Sequence, residues 1–282
     1  MTDTSPPWSE EWNGEMGVRW ATHFRDFDRM IGVFGDQALQ AAAPTLGERA
    51  LDVGCGCGTT TLSLARSVGD AGQALGVDIS PQMLEVARAR ASGEGLTNVS
   101  FTEADAAIAA LPIEVDLVFS RFGVMFFNDP VAAFANIRAR MRLGARLAFV
   151  CWREPAANPW STAPARAVRD ALKLAPVDAD PEAPGPFAFA NSDRVGRILD
   201  SGGFKDIRFR QFDAPVHMGQ TLDEAVDSVM CAGPVSRLLR NLSPDDAGIA
   251  KQAVEAELTG GLQADGSVLG RGSAWIFEAQ AG

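Results

Sequence analysis

Glycine at every second position of one short segment is the strongest chemical signal in this 282-residue chain. Residues 50–58 read Ala-Leu-Asp-Val-Gly-Cys-Gly-Cys-Gly, an apolar stretch that runs into Gly54, Gly56 and Gly58. Glycine lets a backbone turn sharply and approach a ligand with no Cβ in the way. The segment Thr59 to Val68 that follows has the apolar spacing of a helix. A strand, a glycine turn and a helix in this order are typical of the nucleotide-binding corner of an open α/β sheet.

Acidic side chains stand at the ends of three successive predicted strands. Asp52 precedes the glycine turn, Asp78 ends the apolar run 74–78, and Asp105 ends the alternating segment 99–105. Carboxyl ends of parallel strands meet at one edge of a sheet, so we expect the three carboxylates to lie close together. A carboxylate at the end of the second strand can accept both hydroxyls of a ribose. The pattern therefore predicts a nucleoside pocket at this edge.

The glycine spacing separates two classes of nucleoside-binding protein. The dehydrogenase fingerprint G-x-G-x-x-G would need glycine at position 59, but that residue is Thr59 and the third glycine comes one position early. A nicotinamide oxidoreductase is therefore disfavoured. The pattern D-x-G-x-G-x-G instead resembles motif I of class I S-adenosylmethionine (SAM) methyltransferases. Residues 46–153 as a whole are similar to the ubiquinone/menaquinone-type members of that family, with Cys57 where they often have Thr, Ser or another small residue.

The resemblance implies where the cofactor would bind. In the family the residue at Asp52 lies near the SAM ammonium, the pair at Asp105 and Ala106 contacts the adenine amino group, and the segment from Ser120 lines the methionine moiety and the substrate. The implied cofactor contacts are Asp52, Gly54, Cys55, Gly56, Gly58, Asp78, Ile79, Met83, Asp105, Ala106, Ser120 and Arg121. The candidates for the wall of the acceptor site, which ordinary packing at a strand end explains equally well, are Phe122, Met125 and Phe126.

A general base is needed only if the methyl acceptor loses a proton during the reaction. The chain has no tyrosine and two histidines, so His23 and His217 are the candidate bases. His23 stands beside an aromatic stripe that includes Trp20 and Phe27, and His217 follows the predicted sixth strand. Each could equally be a structural or exposed histidine, and the sequence leaves that alternative open.

Strand and helix patterns alternate along the chain and predict the fold that positions these residues. We predict an α/β, doubly wound, Rossmann-like sheet, and the resemblance implies seven strands, six parallel and the seventh antiparallel between the fifth and sixth. Residues 1–45 form a predicted N-terminal helical extension, and residues 46–282 form the SAM-binding domain. Insertions at about 154–190 and 218–265 are expected to emerge at the carboxyl edge and cap the pocket. Between and after these insertions, and within the second one, the sequence predicts helices 192–201, 221–240 and 243–258 and strands 207–212 and 272–280.

The amino-acid composition limits the classes of molecule that the chain is expected to bind. A net charge of −11 repels a phosphate backbone, so nucleic acid is disfavoured and a small-molecule acceptor is expected. The one dense basic run, Arg138 to Arg146, is predicted to end a helix as a solvated face, with an anion site as the alternative. No apolar stretch has the roughly 20 residues needed to span a bilayer, and the N-terminus lacks the features of a signal peptide. The four cysteines are therefore interpreted as reduced residues of a cytoplasmic protein, and no metal is expected.

These observations converge on one hypothesis. The chain is predicted to transfer a methyl group from SAM to an O, N or C nucleophile of a small molecule by in-line displacement, releasing S-adenosylhomocysteine. It is expected to act as a monomer or homodimer. The alternative is a SAM-fold protein that uses the bound cofactor for other chemistry or only binds it. The acceptor itself is not identified by the sequence.

Overall fold

The computed structural model describes residues 8–111, 114–175, 180–231, 233–240 and 242–282. The first seven residues of the predicted extension lie outside the described residues. They include the start of the segment that is interpreted as lacking a signal peptide. Residues 176–179 of the first predicted insertion and residues 232 and 241 of the second also lie outside them. The helices are α1 Trp8–Asn13, α2 Glu15–Thr22, α3 Phe24–Ala42, α4 Thr59–Val68, α5 Pro81–Gly93, α6 Pro130–Arg138, α7 Pro159–Leu172, α8 Ser192–Ser201, α9 Leu222–Cys231, α10 Gly233–Leu239 and α11 Pro244–Thr259.

Seven strands form one sheet in the order β3-β2-β1-β4-β5-β7-β6. Their bounds are β1 Arg49–Val53, β2 Gln73–Asp78, β3 Val99–Glu103, β4 Val115–Arg121, β5 Met141–Trp152, β6 Phe204–Gly219 and β7 Val268–Ala281. Strand β7 runs antiparallel to both β5 and β6, and the pairs from β3 to β5 are parallel. The predicted doubly wound sheet with an inserted antiparallel seventh strand is confirmed.

The central strands are apolar because helices cover both of their faces. Leu51 of β1, Leu117 and Phe119 of β4 and Phe149 of β5 are all fully buried. Parallel strands enclosed in this way read as continuous apolar runs rather than alternating ones. Their carboxyl ends therefore bring the glycine turn after β1 to the same edge as the turns after β2 and β4.

Strands β6 and β7 are longer than the sequence predicts. They pair with each other from Phe204↔Ala281 to Gly219↔Val268, whereas β5 ends where Trp152 pairs with Ala274. The two strands thus continue past β5 as a two-stranded arm, residues 213–219 and 268–273, at the carboxyl edge. Helices α9, α10 and α11 connect the two strands of this arm. Helix α7 packs on the arm so closely that a Cβ on Gly270 would lie 2.5 Å from the Cβ of Trp160.

The predicted helix 221–240 is described as α9 and α10, on either side of residue 232, which lies outside the described residues; Gly233 at the start of α10 has a left-handed φ of +70°. One detail of the predicted elements is wrong. The basic run does not end a helix as a whole: Arg142 and Arg146 lie in β5, which begins at Met141 because that residue pairs with Val115 of β4. Arg146 makes two hydrogen bonds of 2.9 Å to the Glu48 carboxylate.

Candidate active site

The glycine turn after β1 is built from left-handed backbone. Gly54, Gly56 and Gly58 have φ of +68°, +54° and +82°. A Cβ on Gly54 would lie 2.9 Å from the Gly123 Cα, and one on Gly58 would lie 2.9 Å from the Ala87 Cβ. The corresponding position on Gly56 has Met83 Sδ as its nearest neighbour, at 3.7 Å. Packing therefore requires two of the glycines, whereas Gly56 leaves space beside the loop.

Asp52 is a fully buried carboxylate directly before this turn. Its Oδ2 accepts hydrogen bonds of 2.7 Å from the hydroxyls of Thr60 and Thr61. Its Oδ1 is buried and has no hydrogen-bond partner among the described residues. Burial raises the pKa of Asp52 to about 6, although the two hydroxyls and the positive charge of Arg121 oppose that rise. An oxygen left without a donor is costly in the interior, so the site fits a ligand that brings a positively charged donor.

Asp78 braces the glycine turn. One of its oxygens accepts the backbone N–H of Gly56 at 2.8 Å, and the other accepts the N–H of Ser80 at 2.9 Å. Burial raises the pKa of this carboxyl despite those two donors. A carboxylate offers about four lone-pair sites, so each oxygen retains capacity for a further donor such as a ribose hydroxyl.

The remaining implied cofactor residues lie on the turns that follow β1, β2 and β3 and, for Met83, in the first turn of α5. Cys55 is buried, Met83 is buried against Gly56, and Ile79 is half-buried. After β3, Asp105 accepts the N–H of Ala107 at 2.9 Å. Asn136 of α6 donates 3.0 Å hydrogen bonds to the carbonyls of Ala106 and Ala109, which fixes this turn.

The end of β4 is tied to the end of β1. Ser120 donates from its hydroxyl to the Val53 carbonyl at 2.7 Å, and the same hydroxyl accepts the N–H of Gly123 at 3.2 Å. Arg121 extends towards α3, where its Nη2 donates to Asp28 Oδ1 at 2.7 Å. Asp28 also accepts a hydrogen bond from the Thr59 hydroxyl at the start of α4. Helix α3 is thereby linked to the glycine turn.

The three candidates for the acceptor wall divide between two aromatic groups. Phe122 has a left-handed φ of +59° and stacks on Trp152 with ring centroids 4.1 Å apart. Phe126 instead contacts Trp8 and Trp12 of α1, at 4.7 and 5.5 Å between centroids. Met125, between them in sequence, is buried. A bulky residue at positive φ is rare and costly, which makes the Phe122 position a distinctive feature of this edge.

The two histidines lie apart from the glycine turn. His23 joins α2 to α3 with its side chain 56% exposed, and its Nδ1 is 3.8 Å from Asp26 Oδ2. His217 lies in the β6–β7 arm opposite Leu269, and its Nδ1 is buried without a hydrogen-bond partner in the described part of the chain. In the described part of the chain, neither imidazole ring makes a hydrogen bond to the glycine turn. Their role as bases stays a prediction.

Sequence reasoning missed two features of the site, Asp28 and Gly123, and did not identify the contact of Trp8 and Trp12 with Phe126. Asp28 is one of several acidic residues on an amphipathic helix, and its type alone does not distinguish it. The tryptophans signal burial but not which residue they contact. The sequence signal that could identify Gly123 is its position directly after the Ser120–Phe122 segment.

A polar cleft of about 480 Å³ lies at the opposite, amino edge of the sheet, and its lining includes Arg49, Gln73 and Asp116. It is remote from the glycine turn because these residues belong to the first half of their strands. Among the described residues, no group of three or more His, Cys, Asp or Glu side chains is placed to hold a metal ion. No helix within the described ranges is long and apolar enough to cross a membrane.

Comparison with known proteins agrees with this geometry. Residues 50–144 match the family model described as a methyltransferase domain. The chain is 38% identical over 116 residues to aklanonic acid methyltransferase DauC of Streptomyces sp. (strain C5), covering 41% of this chain and 53% of that protein. It is 34% identical over 111 residues to the ubiquinone/menaquinone biosynthesis C-methyltransferase UbiE of Teredinibacter turnerae, covering 39% and 45%.

The chain thus spans about half the length of these two curated relatives. Among solved structures, the YcgJ protein of Bacillus subtilis superposes with a TM-score of 0.58 at 16% identity, covering 87% of this chain and 97% of that one. Identity this low shows a shared fold.

Proposed function

We propose that this chain, whose residues 50–144 match a methyltransferase-domain model, is a class I SAM-dependent methyltransferase that transfers a methyl group from SAM to a small-molecule acceptor and releases S-adenosylhomocysteine. The observation that supports this most directly is the buried, unpartnered Oδ1 of Asp52 beside a glycine turn that leaves space at Gly56. The SAM ammonium would supply the missing positive donor. The nicotinamide alternative lacks a positively charged group of this kind on an amino-acid tail.

Each group of cofactor residues has a proposed task. Asp52 binds the ammonium, Asp78 accepts the ribose hydroxyls, and Asp105 with Ala106 contacts the adenine. The glycine turn passes beside the methionyl tail with residues Gly54, Cys55, Gly56 and Gly58. The nucleoside is bordered by Ile79 and Met83. From the end of β4, the methionyl tail is lined by Ser120 and Arg121. This arrangement uses one continuous edge of the sheet.

The bound cofactor supplies the electrophilic methyl group on its sulfonium. The chain's own contribution is to hold the acceptor atom in line with the departing sulfur and to exclude water, and positioning of that kind can provide much of the acceleration. The acceptor would lie against Phe122, Met125 and Phe126. The N-terminal extension (1–45) and the insertions at about 154–190 and 218–265 would cover it. If the acceptor loses a proton, His23 or His217 would take it.

The names of the two relatives, aklanonic acid methyltransferase and a ubiquinone/menaquinone C-methyltransferase, support a small organic acceptor. We further propose a cytoplasmic monomer or homodimer. A protein that binds SAM for other chemistry is the alternative.

Calorimetric titration of the purified chain with SAM, S-adenosylhomocysteine and NAD tests the cofactor. We expect the first two to bind and NAD not to bind, and Asp52→Ala to lose that binding. A mass increment of one methyl group on a candidate acceptor then tests transfer. Binding of NAD in preference to SAM would overturn the proposal, and SAM binding with no methylated product from any acceptor class would favour the alternative.

A further inference from the structure

Two features of α3 hold the Arg121 side chain in one position. Asp28 accepts its guanidinium at 2.7 Å, and both side chains are largely buried, with 12% of Arg121 and 21% of Asp28 exposed. Two turns further along α3, a Cβ on Gly35 would lie 2.6 Å from the Cδ of Arg121. Gly35 therefore provides a notch for the arginine stem, and Asp28 binds its end.

This position matters because Arg121 has an alternative partner. Its charge acts on the buried Asp52 carboxylate, lowering the pKa of that group. Even so, Asp52 Oδ1 receives no hydrogen bond from any described residue. Arginine is long, flexible and well suited to bidentate pairing with carboxylates. If it were unrestrained, Arg121 could turn to Asp52 and occupy the oxygen that the cofactor ammonium needs.

We propose that Asp28 is a positioning residue for cofactor binding: together with the Gly35 notch it holds Arg121 along α3, so that the buried Asp52 Oδ1 is not paired with arginine and remains able to accept the cofactor ammonium. The same position presents the guanidinium to the cofactor carboxylate. This inference rests on the proposed function. It assigns to the N-terminal helix a part in recognising the amino-acid tail of the ligand, separate from recognition of the nucleoside.

The surroundings of Asp28 are consistent with this role. Arg90 of α5 lies 3.8 Å from the other Asp28 oxygen, and its Nη1 donates to the Thr59 hydroxyl and the Cys57 carbonyl, both at 2.7 Å. The second oxygen of Asp28 is thus engaged by the glycine turn and by Arg90, which leaves the first one for Arg121. Asp28 thus forms a hydrogen-bonded ion pair with Arg121 and a longer one with Arg90.

The test compares two probes that differ in the amino-acid tail. S-Adenosylhomocysteine carries the ammonium and carboxylate, whereas 5′-methylthioadenosine has the same nucleoside and sulfur without them. We expect Asp28→Asn and Gly35→Ala each to weaken binding of S-adenosylhomocysteine by at least about tenfold, since charge-assisted hydrogen bonds are lost. Both variants should bind 5′-methylthioadenosine as the wild type does. Asp28→Glu should restore part of the lost affinity.

Gly32→Ala is the matched control, because Gly32 lies on the same helix and a Cβ there has no neighbour within 4 Å. It should leave both affinities unchanged. Gly35→Ala keeps the Asp28 carboxylate, so it tests the notch even if Asp28→Asn folds poorly. Equal losses for the two probes would indicate a merely structural role and overturn the inference, as would unchanged affinity in both variants. A wild-type chain that binds neither probe would instead refute the proposed function.

Discussion

At the scale of single residues, Asp52 shows a conflict between folding and binding. Its side chain is fully buried and one of its oxygens lacks a partner, so keeping it ionised in the folded chain costs free energy. A ligand that brings a positive donor removes that cost. The same residue therefore weakens the ligand-free protein and strengthens the complex, as expected where a site is preorganised for a partner.

The conflict predicts how stability depends on pH. The pKa of Asp52 is raised from 3.8 to about 6 in the folded chain, so its contribution to stability is full below pH 3.8 and is lost as the pH rises through about 6. The loss amounts to about 3 kcal/mol at most, at 1.36 kcal/mol per pKa unit. Between pH 5 and pH 8, we expect the melting temperature of the ligand-free wild type to fall further than that of Asp52→Asn, measured by calorimetry. Parallel pH profiles would contradict this.

Protonation of the same carboxylate should also weaken cofactor binding. The neutral acid attracts an ammonium far less than the carboxylate does, so affinity for S-adenosylhomocysteine should fall as the pH is lowered below about 6. Calorimetric titrations at pH 5 and 7.5 would measure this, with 5′-methylthioadenosine as the probe that has no ammonium. A fall of equal size for both ligands would point to a cause other than Asp52.

At the scale of elements, the turns after β1 and β4 approach each other closely at Gly54 and Gly123. A Cβ on Gly123 would lie 2.7 Å from the Val53 carbonyl oxygen and 3.0 Å from the Gly54 Cα. The contact is between backbones, which cannot give way as a flexible side chain does. The spacing of these two turns, and with it the position of Ser120 and Arg121 at the end of β4, is therefore set by the absence of side chains at Gly54 and Gly123.

Gly123→Ala should accordingly force the two turns apart. We expect a loss of about 1–3 kcal/mol in the free energy of unfolding, the usual effect of overpacking, and at least about tenfold weaker binding of S-adenosylhomocysteine, a change of about 1.4 kcal/mol. Gly196→Ala on α8 is the control, since a Cβ there has no neighbour within 4 Å. Urea unfolding and calorimetric titration would measure both quantities, and normal binding by Gly123→Ala would refute the explanation.

Local sequence patterns predict those elements whose structure depends on adjacent residues. The glycine turn, the apolar central strands and the Asn191-capped helix α8 depend on adjacent residues, and the sequence predicted each of them. The full lengths of β6 and β7 depend on their pairing with each other, from Phe204↔Ala281 to Gly219↔Val268, which joins residues far apart in sequence, so the sequence underestimates both lengths. The Asp28–Arg121 contact joins residues 93 positions apart and has no local signature. The class I methyltransferase resemblance is confirmed for residues 50–144.

At the scale of the whole molecule, α1 and α2 form an N-terminal strap (residues 8–22) that connects both insertions. The Glu11 side chain, 2% exposed, accepts a 2.7 Å hydrogen bond from Arg237 of α10 and lies 3.6 Å from Arg240. Arg237 also lies over the Trp8 ring, 3.9 Å from its centroid. Trp8 donates from its indole to the Pro184 carbonyl in the first insertion. The strap is thus fastened on both sides while its tryptophans contact Phe126.

Glu11→Gln should loosen this fastening. The amide keeps the size of the side chain but removes the charge, so we expect about 1–3 kcal/mol less stability, the cost of losing a hydrogen-bonded charged partner. Hydrogen exchange should become faster in residues 8–22 and in α10. Glu15→Gln is the matched control, because that side chain is 79% exposed and its pairing with Arg19 is a surface one. Exchange rates that rise equally in both variants would contradict a specific fastening.

The arm formed by β6 and β7 has a consequence for how such chains diversify. The carboxylates that we propose to bind the cofactor stand on the parallel half of the sheet. Helices α9 to α11 instead connect the two strands of the arm, which past Trp152 pair with each other and no longer with β5. Substitutions on the exposed faces of these helices therefore need not alter the register of the strands that carry Asp52 and Asp78. An ancestor built this way could exchange one recipient molecule for another while its donor chemistry stayed intact.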